Sequence, residues 1–211
     1  MEVKGAGVMS RRTQADRTAA TRAALVAAAR QLFASEGYAA VGTERVALAA
    51  GVSRGALYHQ FADKADLFEA VLEAVEVDVT ARLVEAVATA AGDAVTLLVA
   101  GAEAWLDASA EPEVRRIALL DGPAVLGWER WREVGMRHGL GLVTTVLTEL
   151  RDAGAIADQP IEPLAHVLIG ALDEAAIYVA MADDPERART EVGAVLRRLV
   201  TAVTMVEPPG P

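Results

Sequence analysis

The sequence predicts an all-α chain of about nine helices arranged as two modules, and three observations carry that expectation. Alanine fills about a fifth of the 211 positions and aromatic residues only 4%, a bias toward the strongest helix former and away from sheet formers. Apolar residues recur at three- and four-residue spacing along most of the chain. The segments that break this spacing are short and rich in glycine, proline or aspartate, the residues at which helices start and stop.

Residues 1–13 hold two glycines and scattered basic residues without periodicity, which reads as a mobile arm reaching to residue 16. A first helix is expected over 17–36 on Leu25, Ala28, Ala29, Leu32 and Phe33, with Gly37 as its C-cap. After a loop, Thr43 opens a second helix over 43–50, about two turns long and ended by Gly51. Ser53 is placed to cap a third helix over 54–60. Asp63 then caps a fourth, whose stripe Leu67, Val71, Leu72, Val75, Val79 and Leu83 runs to about residue 91. At 1.5 Å per residue it spans roughly 40 Å, enough to join two modules.

Gly92 and Asp93 interrupt that stripe, and a fifth helix carries Trp105 and Leu106 to near Pro112. A short sixth helix over 113–120 is expected to stop at Asp121, Gly122 and Pro123. The seventh spans 124–153 with a bend near Gly135, Gly139 and Gly141, where glycine weakens helix propensity, and Gly154 closes it. The final pair covers 161–182 and 185–206, joined by Asp183, Asp184 and Pro185. Residues 207–211 form a proline-rich tail expected to be disordered.

Composition narrows the function classes. Without cysteine there are no disulfides, thiolate metal sites or cysteine nucleophiles. His59, His138 and His166 have no metal-ligand spacing, and no phosphate loop or nucleophile elbow occurs, so neither an enzyme nor a bound cofactor is expected. No uncharged apolar run approaches the roughly 18 residues of a membrane span, and residues 1–10 lack the apolar core of a secretory signal. A cytoplasmic protein without a membrane partner is expected.

The net charge of −10 argues at first against nucleic acid, whose phosphates are bound by lysine and arginine. The charge is divided, however. Residues 1–64 carry nine basic and five acidic side chains, a balance of +4, and the remainder carries −14. Such asymmetry points to a charged partner for the basic segment. There, Gly51 permits a tight turn between two short helices, and Val46, Ala50, Val52 and Leu57 are the apolar residues that lock their angle. In that frame Arg54, Gly55, Ala56, Tyr58 and His59 face outward near the start of the third helix, the part of a helix-turn-helix that meets base edges. Arg54 suits guanine or phosphate, and Tyr58 and His59 suit phosphate or base atoms. Thr43, Ser53 and Lys64 complete the candidate DNA-binding set, with Lys64 as a phosphate anchor at the fourth helix's positive end.

Residues 22–67 resemble the DNA-binding domain of the tetracycline-repressor (TetR) family of bacterial transcription regulators. The resemblance rests on Arg22, Leu25, Ala28, Ala29, Leu32, Phe33, Gly37 and Tyr38, then Val46, Ala47, Ala50, Gly51, Val52, Ser53, Gly55, Leu57, Tyr58, Phe61, Lys64 and Leu67. One departure is visible: the family places a hydroxyl residue at the second helix's N-cap, where this chain has Val41 and Gly42 before Thr43. A phosphate contact there is shifted by one residue or lost.

The resemblance implies a helix-turn-helix domain over 17–64 that binds double-stranded operator DNA. It also implies a second domain over 65–206 that binds a small-molecule effector and forms a homodimer. The stripes Leu164, Leu168, Leu172, Ala175 and Val179, and Val192, Val195, Leu196, Leu199, Val203 and Val206, fit dimerisation through the last two helices. Candidate effector contacts are Trp105, Trp128 and Trp131 in mid-chain, with His166, Ile169, Asp173 and Ile177 on one stripe of the eighth helix. The expected function is a repressor released from DNA by its ligand. The alternatives are a DNA-binding regulator without an inducer, and a helical enzyme that merely carries the motif.

Overall fold

A computed structural model describes residues 14–204, which form nine helices and no strand. The basic residues Lys4, Arg11 and Arg12 of the expected arm, and the expected tail, lie outside the described residues. So do Val206 and the end of the last expected helix.

Helix α1 runs Gln14–Glu36, so three residues expected in the arm are helical. It is followed by α2 (Thr43–Ala49), α3 (Arg54–Gln60), α4 (Lys64–Thr89) and α5 (Ala94–Ala110). Asp63 caps α4 as expected, accepting from the backbone N–H of Asp66, and Asp93, expected only to interrupt the stripe, caps α5 by accepting from that of Thr96.

The sixth helix does not stop where expected. Residues 112–126 form one continuous helix, α6, α-helical at Pro112–Val114, π-helical at Arg115–Asp121 and α-helical again at Gly122–Leu126. Pro123 has no N–H to donate, and the chain accommodates it by widening the preceding turns rather than by ending. The break comes at Gly127, whose φ of +77° is a left-handed conformation suited to glycine. Helix α7 therefore begins at Trp128, not at residue 124, and runs Trp128–Asp152 without interruption through Gly135, Gly139 and Gly141. The expected bend there is not a break in the helix. The last two helices are α8 (Ile161–Met181) and α9 (Pro185–Thr204).

One apolar core runs from Leu25 and Phe33 on α1, through Leu57, Phe61 and Phe68, to Val75, Leu106, Ile117 and Trp131. Phe33, Tyr38 and Phe68 stack with centroids 5.2–5.6 Å apart and join α1 to α4. The head and the body are thus fused along α4. A smaller cluster at Leu147, Leu150, Ile156, Ile161 and Ala165 closes the far end. Helix α8 is long and apolar enough by length and composition to cross a membrane, although Asp173 and Glu174 interrupt it.

Candidate functional site

The reading head is built from the turn outward. Gly51, at φ +69°, lets its own N–H bond the Leu48 carbonyl (3.1 Å) and that of Val52 bond the Ala47 carbonyl (3.0 Å), which ends α2. Val46, Ala47 and Leu57 are buried beneath the turn and fix α3 against α2. Ser53 caps α3, its Oγ accepting from the Ala56 N–H at 3.1 Å. With the cap and core set, Arg54, Gly55, Tyr58 and His59 are exposed as expected, whereas Ala56, expected to face outward with them, is half-buried.

Thr43 is the first residue of α2 and not its cap; the Gly42 cap makes no side-chain bond. Its hydroxyl lies 3.1 Å from the Tyr58 hydroxyl and ties α2 to α3. That bond, with a smaller contribution from Arg54, holds the Tyr58 phenol below its ordinary range. Arg54 Nη1 donates to Glu44 Oε1 at 2.6 Å, and its guanidinium lies 5.6 Å from the Tyr58 ring. Both members of this pair are largely exposed, so the pair contributes only about 0–1 kcal/mol and exchanges readily for a phosphate. Glu44 is a member of the constellation that the sequence did not single out.

Lys64, expected as a phosphate anchor, also has a partner inside the head. Its Nζ donates to the Tyr38 carbonyl at 2.6 Å and lies 3.9 Å from the Tyr38 ring, half-buried. Burial lowers its pKa, with the Asp121 charge opposing. Lys64 thereby clamps the α1–α2 loop, a task for which its place at the start of α4 gave no local sign. The same loop is held from the other side, because the Tyr38 N–H donates to Asp121 on the π-helical turn at 2.8 Å. Arg30 adds a two-pronged bond to Glu113 (2.8 and 2.9 Å) and a bond to Asp78.

In the body, a cavity of about 70 Å³ lies between α4, α5, α6, α7 and α8. Of the residues expected to contact an effector, Trp105, Trp131, Ile169 and Asp173 line it together. Three other expected contacts do not. The cavity meets only the middle of α8, so His166, a turn before Ile169, is exposed, and Ile177, a turn after Asp173, packs against the main core. Trp128, at the first residue of α7, is 61% exposed and only borders Trp131, with ring centroids 5.0 Å apart.

Both cavity indoles have spent their N–H groups: Trp105 donates to the Leu172 carbonyl (3.0 Å) and Trp131 to the Ala118 carbonyl of the π-helical turn (2.7 Å). They offer ring faces only. The polar wall comes from Glu76 and Thr80 on α4, Arg132 on α7 and Asp173 on α8. Arg132 reaches Asp173 at 3.5 Å. Burial pushes the Asp173 carboxyl up to about 6 against the pull of Arg132, and burial, aided by the charge of Asp173, pushes Glu76 up to about 7. Among the described residues Glu76 has no hydrogen bond or ion pair. Gly135 and Gly139 complete the wall, and a Cβ at either would meet nothing within 4 Å. The sequence did hold one signal for Glu76, a carboxylate between Val75 and Val79 on the apolar stripe of α4.

A second space of about 80 Å³ adjoins the first across Leu83, Leu142, Val143 and Leu172, and its walls carry no charged residue. On the outside of the body, Val167, Tyr178, Met181, Val195 and Leu199 of α8 and α9 are exposed, while Leu196 and Val200 turn inward. The stripe expected on α9 is therefore shared between two faces. Among the described residues no group of three or more metal-ligating side chains is placed to hold an ion.

Comparison with known proteins fits this geometry. Residues 25–71 match the model of bacterial regulatory proteins of the tetR family, and residues 95–203 match a tetracyclin repressor-like C-terminal domain. A crystallised TetR-family transcriptional regulator from Pectobacterium atrosepticum is 32% identical, with 93% of this chain and 100% of that one covered and a TM-score of 0.81. RolR, crystallised with resorcinol, shares the fold at 20% identity and a TM-score of 0.73, over 93% of this chain and 99% of its own. The transcriptional repressor BepR of Brucella suis biovar 1 is 42% identical over 62 residues. That match spans only 29% of either chain.

Proposed function

The chain belongs to the TetR family of bacterial regulatory proteins, and from that premise we propose that it is a homodimeric, cytoplasmic repressor that a small molecule releases from its operator. The observation that carries the proposal is the continuity between cavity and reading head. Trp131 forms a wall of the cavity and bonds Ala118, and Asp121, on the same π-helical turn, bonds the Tyr38 backbone at the base of the head. A ligand that displaces Trp131 moves the turn that holds α1 and α2. Ligand favours the state it binds better, and the spacing of the two reading heads in that state no longer fits the operator.

Within the head, Arg54, Tyr58 and His59 read or anchor DNA, Thr43 orients Tyr58, and Ser53 with the small Gly55 and Ala56 lets α3 approach the major groove. Dimerisation uses α8 and α9, because five of the ten exposed large hydrophobic residues among those described lie on them. A partner laid against this face also accounts for the apolarity of α8.

The test is selection of bound fragments from the genomic DNA of the source bacterium by the purified dimer. Enrichment of a two-fold symmetric site with half-sites about one or more helical turns apart is the expected result. No enrichment over random fragments overturns the reading.

A further inference from the structure

We infer that the cavity takes an amphiphilic cation, an amine whose positive head sits between Glu76 and Asp173 and whose apolar body extends into the adjoining space. The inference rests on the reading of the cavity as the effector site and adds the chemistry of the ligand.

Glu76 is the residue that decides the class. Glu69, Glu73, Glu76 and Thr80 follow one another at three- and four-residue spacing on the face of α4 that meets α7. Arg130 pairs with Glu69 and Arg137 with Glu73. The third glutamate is treated differently, because Arg132, the arginine that lines the cavity, is directed to Asp173. Glu76 is left 9% exposed, without a described partner, at the wall of an open cavity. A buried carboxyl without a partner costs free energy unless a ligand satisfies it.

The other groups agree on sign. Two carboxyls face one guanidinium, and Thr80 adds a hydroxyl that can accept, so the wall has a surplus of acceptors and negative charge. An anionic head would meet both carboxyls. A cation neutralises Glu76 and lies against the ring faces of Trp105 and Trp131, whose N–H groups are already bonded to the backbone. The second space is bounded by Leu97, Leu196 and Val200 beside the four shared residues, which suits a hydrocarbon or aryl tail and no second charge.

The test uses the full-length protein at pH 7.5 and three probes of similar shape: phenethylamine, 2-phenylethanol and 3-phenylpropanoate. Calorimetry or tryptophan quenching is expected to rank the amine at least tenfold above the alcohol and the carboxylate last. Glu76→Gln, which keeps shape and hydrogen bonding, is expected to bring the amine within about threefold of the alcohol. Glu69→Gln, on a partnered glutamate of the same face, is expected to leave the ratio unchanged. Binding of 4-phenylbutylamine tighter than phenethylamine by severalfold supports the tail, and equal binding overturns that part. Tightest binding of the carboxylate, an unaltered ratio in Glu76→Gln, or no binding of any probe overturns the proposal. Selective amine binding without any effect on operator DNA contradicts the effector reading alone. Operator release by a ligand indifferent to Glu76 contradicts this inference alone.

Discussion

Arg54, at the tip of the reading head, is 59% exposed and holds Glu44, whereas Glu76, at the wall of the body cavity, is 9% exposed and has no hydrogen-bond or ion-pair partner among the described residues. The reading face holds Arg54 in an exposed pair that exchanges partners at little cost, as a surface meeting a polyanion requires. The body instead buries a carboxyl at a cost to stability, and that cost falls when a suitable ligand arrives. The −10 chain thus divides into a +4 segment that contains the helix-turn-helix and a −14 remainder whose net charge disfavours contact with DNA.

The sharpest way to break this comparison is to unfasten the two regions. Phe68→Ala removes a fully buried ring that contacts Phe33 and Tyr38, and a loss of about 3–5 kcal/mol is expected by denaturant unfolding. Because one core passes through both regions, head and body are expected to unfold in one transition. Separate transitions would mean that the head is an independent domain.

The next effect isolates Glu76. The folded protein holds this proton up to about pH 7, whereas the unfolded chain gives it up near 4.5, so stability falls as pH rises between those values and levels off above. Asp173, raised to about 6, adds a smaller slope of the same sign. Glu76→Gln is expected to remove the larger slope and to stabilise the protein by about 3 kcal/mol at pH 8. An unchanged pH profile of thermal unfolding would show that Glu76 does not sit as described.

In the head, Arg54→Ala is expected to weaken operator binding by about 1–3 kcal/mol and to relax the preference at one base pair of each half-site. Equal losses on every DNA sequence would restrict Arg54 to phosphate. The smallest effect is at the cavity wall. Gly139→Ala meets no neighbour and replaces the weaker helix former, so a gain of about 0.5–1 kcal/mol is expected, with reduced affinity for any cavity ligand.

These contrasts also explain what could be read from the chain. The head was legible because its geometry is local: Gly51, Ser53 and Leu57 set turn, cap and core within seven residues, and Arg54, Tyr58 and His59 emerge where that frame puts them. The clamp made by Lys64 was not legible because its partner, the Tyr38 carbonyl, lies 26 residues away. The cavity was half legible. Trp105, Trp131, Ile169 and Asp173 stood out as bulky or polar residues in apolar stretches, but Glu76 and Arg132 acquire meaning only when α4, α7 and α8 meet. Gly135 and Gly139, which suggested a bend, turn out to thin the helix wall and leave space. Pro123 looked like a stop because an α-helix cannot pass it without losing a bond; a π-helical turn takes up that loss and places Asp121 against the head.

The most direct measurement is operator affinity, by fluorescence anisotropy on the selected site, as 4-phenylbutylamine is added to the wild-type protein and to Glu76→Gln. Coupling between cavity and head requires that the amine weaken operator binding of the wild type by at least fivefold, and that Glu76→Gln need at least tenfold more amine for the same release. Identical release curves, or an operator affinity indifferent to an amine that demonstrably binds, would contradict it.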